Sequence, residues 1–252
     1  MHNPPPPPFG FLYRTIRILI VEDDPYFIKV YRTVLSGYPF YEITVVENAT
    51  EAEERILQAP GFSVCLLDLG ITDRQQDEFY LLRRYASRLS FLVVSGADSP
   101  QKGSIAFALG AREAIQKKGI AQMHLIERIN RVFLESIAIP YAARKDDTII
   151  AAANALFENA PDKVRAWVRT CSVDEGRLRR RYIRYGEHYK PVHILSLVKM
   201  YSAAFSSLVK DKDLEDTARH VRYSYTVHDV NLERLQRFYE SNKDAVDALR
   251  YG

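Results

Sequence analysis

The chain has 252 residues, 47% of them hydrophobic, enough to bury one large core or two modest ones. Its net charge of +3 at pH 7 is too small to favour any class of partner. Cys65 and Cys171 are too few for a disulfide framework or a zinc site and read as core residues. No apolar run approaches the ~18 residues of a transmembrane helix. The start, MHNPPPPPFGF, lacks the charged flank and apolar stretch of a signal peptide, so a cytoplasmic protein with no membrane partner is expected.

Residues 1–14 read as a proline-rich extension, with Pro4 to Pro8 as a short polyproline II arm. Ile16 to Val21 (IRILIV) then opens an alternation of short apolar runs and segments of helical period. The further strands are Tyr41 to Val46, Phe62 to Leu67 (FSVCLL), Ser90 to Val94 (SFLVV) and Arg112 to Gln116 (REAIQ). Helices are predicted over Pro25 to Leu35, Glu51 to Gln58, Phe79 to Arg88, Gln101 to Leu109 and Ala121 to Ser136. The first, third and fourth runs are rich in Val, Ile, Leu and Phe and do not alternate apolar with polar, the mark of parallel strands buried on both faces. Strand and helix in alternation predict a doubly wound, flavodoxin-like α/β domain with five parallel strands over residues 15–138.

In such a sheet the ligand crevice lies outside the carboxyl ends of the strands. Glu22-Asp23, Asp68, Ser95 and Lys117 all fall there. Mg²⁺ takes hard oxygen ligands and keeps several waters, so two or three carboxylates suit it. Clustered carboxylates also raise one another's pKa, and the site then favours a cation or a proton. A metal beside Asp68 would screen that carboxylate as it attacks a phosphoryl donor. Lys117 offers a point charge for a phosphate oxygen and Ser95 a hydroxyl donor.

At these residues the chain resembles the receiver domain of two-component response regulators, the CheY-like family. The resemblance is carried by ILIVEDDP (Ile18 to Pro25), SVCLLDLG (Ser63 to Gly70), VVSG (Val93 to Gly96) and LGAREAIQKK (Leu109 to Lys118), and spans roughly Ile16 to Glu135. It implies that Asp68 is the phosphoacceptor and that Asp23, Asp68 and the Gly70 carbonyl hold Mg²⁺ with help from Glu22. It also implies Ser95 as the switch hydroxyl, Lys117 as the phosphate-sensing lysine and a sensor histidine kinase as partner. Asp24 falls outside the acidic pair and reads as a solvated loop residue or a helix cap. Three departures stand out: LGITDRQQDEF replaces the family's Pro- and Gly-bearing loop after Asp68, Lys118 replaces the proline after the lysine, and Ala114 replaces the switch aromatic. Phosphorylation is expected to be kept and its relay changed.

Ile139 to Asp147 reads as a linker, and residues 148–252 as an all-α domain. Acidic and basic residues balance up to Tyr141, and the basic excess lies beyond it. Arg177 to Lys190 holds six basic residues against one acidic, a density suited to tracking phosphates. Lys163 to Cys171 reads as a helix, Ser172-Val173 as a tight turn and Asp174 as the N-cap of a second helix whose Leu178 and Tyr182 return to the core. That is helix-turn-helix spacing, in which the start of the second helix enters the major groove of double-stranded DNA. Glu175, Gly176, Arg179 and Arg180 would face bases, and Arg177, Arg181 and Arg184 phosphates.

WVRTCSVDEGRLRRRY, followed by YGEHYKPVHILSLVKMYSAA, resembles the first helix-turn-helix unit and connecting helix of AraC-type regulators, with Ser172 in place of the turn glycine. A weaker second unit would open at Leu214 to Ser224, with Arg222 where glycine is expected. The two resemblances imply a response regulator that binds DNA and controls transcription, with dimerisation among the outcomes of phosphorylation. A phosphorylation-dependent adaptor whose helical domain binds protein is the alternative, since basic helix faces are common. No Gly-x-Ser-x-Gly, P-loop or His-Glu-x-x-His is present, and His228-Asp229 is an isolated pair, so no enzyme beyond self-phosphorylation is expected.

Overall fold

The computed structural model describes residues 16–38, 40–58, 61–71, 77–96, 100–117, 122–186 and 189–209. Pro4 to Pro8, the Lys118 position, most of the loop after Asp68, Leu214 to Ser224 and His228-Asp229 lie outside the described residues. The chain divides after Phe133 into two units, Thr15–Phe133 and a second from Leu134 onward.

The first unit is built on strands β1 (Ile16–Val21), β2 (Tyr41–Val46), β3 (Val64–Asp68), β4 (Ser90–Ser95) and β5 (Glu113–Gln116). All pairings are parallel, in the order β2-β1-β3-β4-β5. This is the five-stranded flavodoxin-like sheet expected from the alternating runs. Between the strands lie α1 (Pro25–Ser36), α2 (Ala49–Gln58), α3 (Tyr80–Tyr85) and α4 (Pro100–Ala108), and α5 (Gln122–Ala138) follows β5. Successive strand residues point to opposite faces. Leu19, Val21, Cys65, Leu67, Phe91 and Val93 therefore share one core with Ala52 of α2, Leu81 and Leu82 of α3 and Ala106 of α4. Ile18, Ile20, Val64, Leu66, Leu92 and Val94, equally buried, are left for the other face. Both faces are covered, which is why these strands carry almost no polar residues.

Among the boundaries that differ from the expected ones, two have a clear local cause. The third strand starts at Val64, because its register with β1 begins at Ile18↔Val64, and it runs on to Asp68, which pairs with Val94. Helix α3 is shorter than Phe79 to Arg88, because Arg88 and Leu89 both turn their amides onto the Tyr85 carbonyl and lead the chain into β4.

Among the described residues after Leu134 the second unit carries helices α6 (Asp147–Asn159), α7 (Val164–Thr170), α8 (Glu175–Ile183) and α9 (Pro191–Val209). The stretch read as a linker carries a 3₁₀ turn at Tyr141–Ala143 and buries Ile139, Ala143 and Asp146. Asp146 caps α6 by accepting from the Thr148 and Ile149 amides. Trp167 is fully buried, its indole N–H donating to the Ala152 carbonyl at 2.6 Å, and its ring lies 6.1 Å from that of Tyr182. Tyr182, also buried, donates its hydroxyl to the Ala138 carbonyl at 2.9 Å. Cys65 is buried as expected, whereas Cys171 is half-buried, ending α7 rather than packing inside it. Among the described residues no helix is long and apolar enough to cross a membrane.

Candidate functional site

The order of the strands reverses at β1, whose neighbours are β2 and β3, so the crevice opens at the carboxyl ends of β1 and β3. Backbone bonds carry the ladders to this rim: Glu22 N–H to Val46 O at 3.0 Å, Leu69 N–H to Val94 O at 3.2 Å and Lys117 N–H to Ser95 O at 2.8 Å. Glu22, Asp68, Ser95 and Lys117, distant in sequence, thereby converge on one end of the sheet.

Glu22, Asp23 and Asp68 each offer a carboxylate oxygen within 4.8 Å of the others. Asp23 is exposed and the other two are buried. Lys117 reaches in from the end of β5, its Nζ donating to Glu22 at 2.7 Å and to Asp68 Oδ2 at 2.9 Å. Its aliphatic stem is covered and the ammonium lies 4.3 Å from the centroid of the Phe27 ring. Burial works against the Lys117 charge, but the bonds to Glu22 and Asp68 outweigh it and hold the ammonium above its ordinary pKa. Glu22 is shifted the other way relative to its charge: burial first, then the nearby Asp68 carboxylate, raise its pKa against the opposing pull of Lys117. Three carboxylates facing one ammonium leave negative charge uncompensated. Buried Glu22 Oε2 has the Lys117 ammonium at 2.7 Å and no further partner among the described residues. A hard divalent cation with oxygen ligands fits this donor set.

Gly70 N–H donates to Asp68 Oδ1 at 2.9 Å, and a Cβ at Gly70 would stand 2.9 Å from Asp68 Oδ2. A side chain at this position would press on the end of Asp68 and turn its carboxylate away. Asp24 takes no part in the cluster; its side chain caps α1 by accepting from the Tyr26 amide at 2.8 Å. Ser95 ends β4, half-buried beside Gln116 of β5. Ala114 packs on the α4 side of the sheet, where a Cβ at Gly103 would lie 4.0 Å from its own. Two small residues let α4 lie close to β5 at the position where an aromatic was expected to report.

Two neighbours of the pocket were not singled out from sequence. Phe27 is one, and its only sequence signal is an aromatic in the first turn of the helix that directly follows the acidic pair. Tyr31, one turn further along α1, is buried with a hydroxyl that has no hydrogen-bond partner among the described residues. Burial and then the charges of Glu22, Asp68 and Asp24 drive its pKa far up, so the phenol stays neutral.

The second candidate site is the α7–turn–α8 segment. Ser172 adopts φ +53°, the left-handed conformation that a turn glycine would supply. Asp174 then caps α8 by accepting from the Arg177 amide at 2.8 Å. Leu178 and Tyr182 face the core, and Arg177, Arg179, Arg180 and Arg184 are exposed. Glu175 is exposed in the first turn. Gly176 is half-buried, and a Cβ there would crowd the capping Asp174 Oδ1 at 3.2 Å. Arg181 differs from the other arginines: its Nη1 lies 3.4 Å from Asp146 Oδ2, the same oxygen that accepts the Tyr185 hydroxyl at 2.9 Å. A groove of about 610 Å³ borders the turn and the start of α8, with Arg165 and Arg169 of α7 exposed along it. These two sit one helical turn apart on α7, outside the basic run that drew notice in the sequence.

Sheet order and the acidic rim together define a receiver-type α/β domain. Residues 18–130 match the family model of the response regulator receiver domain, and this stretch of the chain is such a domain. It implies two-component signalling and a phosphodonor such as a histidine kinase, and receiver domains bind Mg²⁺ through an acidic pocket. Similar solved structures include a CheY-like receiver domain protein from Methanospirillum hungatei, at 25% identity over 48% of this chain and 96% of that one, with a TM-score of 0.44. The signal receiver domain of a putative Luxo repressor protein from Vibrio parahaemolyticus is 21% identical over 48% of this chain and 92% of its own, TM-score 0.43. A response regulator from Thermotoga maritima is 16% identical over 48% and 98%, TM-score 0.42. None of the curated proteins matches the chain.

Proposed function

We propose that this protein is a phosphorylation-controlled transcriptional regulator: Asp68 accepts a phosphoryl group from a partner histidine kinase, and the helical unit binds duplex DNA. A carboxylate oxygen of Asp68 attacks the phosphorus of the phosphohistidine, and the P–N bond breaks as the P–O bond forms. Glu22, Asp23, Asp68 and the Gly70 carbonyl would hold Mg²⁺, which when bound would neutralise charge on the phosphoryl oxygens. Lys117, already paired to Asp68 Oδ2, passes its ammonium to a phosphoryl oxygen, and Ser95 offers its hydroxyl from the end of β4. Because Ala114 and Gly103 leave no aromatic to swing, the new state is relayed through the loop after Asp68. A phosphate can bias this equilibrium only by the contacts it makes differently in the two states.

The output half of this reading is carried by one observation: a left-handed Ser172 turn leads into a helix capped by Asp174 that exposes Arg177, Arg179, Arg180 and Arg184 opposite its buried face. This is the geometry by which a recognition helix presents its N-terminal side chains to base edges. Arg165 and Arg169 on the preceding helix add positive charge for flanking phosphates. The test is selection from a random duplex library by the full-length protein, with and without Mg²⁺ and beryllofluoride. A recovered motif whose binding falls steeply with salt, and is lost in Arg179→Ala plus Arg180→Ala, is the expected result. Weak, unselective binding with a co-purifying protein would reject DNA binding and leave the adaptor reading.

A further inference from the structure

Lys117 is held by more than its two carboxylates. Its ammonium sits 4.3 Å from the centroid of the Phe27 ring, within the range at which a ring face attracts a cation. The side chain of Lys117 is only 8% exposed, so little water competes for that charge. Phe27 is itself firmly placed. Asp24 and Pro25 set the first turn of α1 just before it, and its ring meets Tyr26 edge-on at 5.2 Å and Tyr31 at 6.3 Å.

The chemistry of the contact matters more than its strength. An ammonium has three N–H donors and a flexible four-carbon stem, so a carboxylate that fixes it also uses up a donor. A ring face attracts the charge without accepting a directed hydrogen bond. Lys117 can therefore be held in place with its donors left for Glu22, Asp68 and an arriving oxyanion.

We propose that Phe27 is a positioning residue for phosphoryl recognition: its ring face holds the Lys117 ammonium at the mouth of the acidic pocket, preorganised for a phosphoryl oxygen. This rests on the phosphoacceptor reading of Asp68. Preorganisation raises affinity by removing the cost of ordering the lysine when the anion arrives. The effect is expected on the anion, which Lys117 meets, rather than on the metal, which the carboxylates would hold.

Calorimetric titration of the full-length protein tests this, first with Mg²⁺ alone and then with beryllofluoride in saturating Mg²⁺. Phe27→Leu, which keeps apolar bulk and removes the ring face, is expected to bind beryllofluoride about tenfold more weakly with Mg²⁺ affinity unchanged. Phe27→Trp is expected to restore binding. In a Lys117→Met background Phe27→Leu should have no further effect, since a positioning residue acts only through the group it positions. The upfield ring-current shift of the Lys117 ε-methylene protons should vanish in Phe27→Leu, a readout that needs no ligand. Equal beryllofluoride binding by wild type and Phe27→Leu overturns the proposal, as does a loss that persists undiminished in the Lys117→Met background. A wild-type protein that binds Mg²⁺ but not beryllofluoride would instead overturn the phosphoacceptor reading, and the role of Phe27 with it.

Discussion

Asp146 is the residue on which the helical unit depends most visibly, and replacing it gives a sharp test. Its Oδ1 caps α6 through the Thr148 and Ile149 amides at 3.0 and 3.3 Å, and its Oδ2 takes the Tyr185 hydroxyl at 2.9 Å and Arg181 at 3.4 Å. One buried carboxylate thus ties the start of α6 to α8. Loss of an aspartate cap costs about 1 kcal/mol. The Tyr185 bond to a charged acceptor adds about 1 kcal/mol. Arg181 is one-third exposed and remains hydrated when unpaired, so its pair adds about 0.5 kcal/mol. Asp146→Ala should therefore destabilise the unit by about 2.5 kcal/mol, and Asp146→Asn, which keeps the cap and a neutral acceptor, by about 1 kcal/mol. Trp167, the one tryptophan of the chain and fully buried in this unit, reports its unfolding by fluorescence in urea without contribution from the receiver domain. The midpoint of Asp146→Ala should fall by about 2 M at a slope typical of a unit this size.

The same residue carries a pH signature. Burial alone would raise the Asp146 pKa, but the Tyr185 hydroxyl, the Ile149 amide, Arg181 and the Thr148 amide prevail and hold it below the ordinary carboxylate value. As pH falls, the unfolded chain takes up the proton first. The stabilisation is complete above about pH 4 and is lost as pH drops through the lower folded value. The gap between wild type and Asp146→Asn should be constant from neutral pH to about 5 and close below 4. A midpoint for Asp146→Ala within 0.5 M of wild type, or a gap that stays open to the acid limit of folding, would refute this account.

Three further outcomes follow from single residues. Tyr31→Phe removes a buried hydroxyl without a described partner and should stabilise the receiver domain by about 1 kcal/mol, read as slower amide exchange in β1 and β3. Ser172→Gly relieves a left-handed backbone at φ +53° and, after the extra entropy glycine has when unfolded, should raise the Trp167-reported stability by about 0.5 to 1 kcal/mol. Gly70→Ala puts a Cβ 2.9 Å from Asp68 Oδ2, so the carboxylate must rotate away, and Mg²⁺ affinity measured by calorimetry should fall at least about tenfold.

The strand and helix order of the first unit was legible in the sequence because parallel strands buried on both faces must be continuously apolar. IRILIV and SFLVV therefore declare themselves, and β1 and β2 have the predicted bounds. The weaker REAIQ run became a strand only from Glu113, where pairing with β4 begins. Asp174 and Ser172 were equally legible, since capping and turn conformation depend on residues close in sequence. Phe79 to Arg88 misled because helical period continues past the point where the chain must turn into β4. Phe27 escaped notice for a different reason: a ring face that attracts a lysine ninety residues away leaves no local pattern.

The sequence by itself determined which residue types stand at the strand ends, since chemistry and periodicity are written locally. Only the tertiary structure decided what those residues do to one another. Parallel register brings Lys117 between Glu22 and Asp68, and the course of α1 sets a ring beneath its charge. In the helical unit, burial of Trp167 and Tyr182 turns α8 so that Arg181 meets Asp146 while Arg177, Arg179, Arg180 and Arg184 remain exposed. Five arginines alike in sequence become unlike because packing fixes the rotation of the helix, and rotation decides which charge finds a partner inside the protein and which is left for one outside.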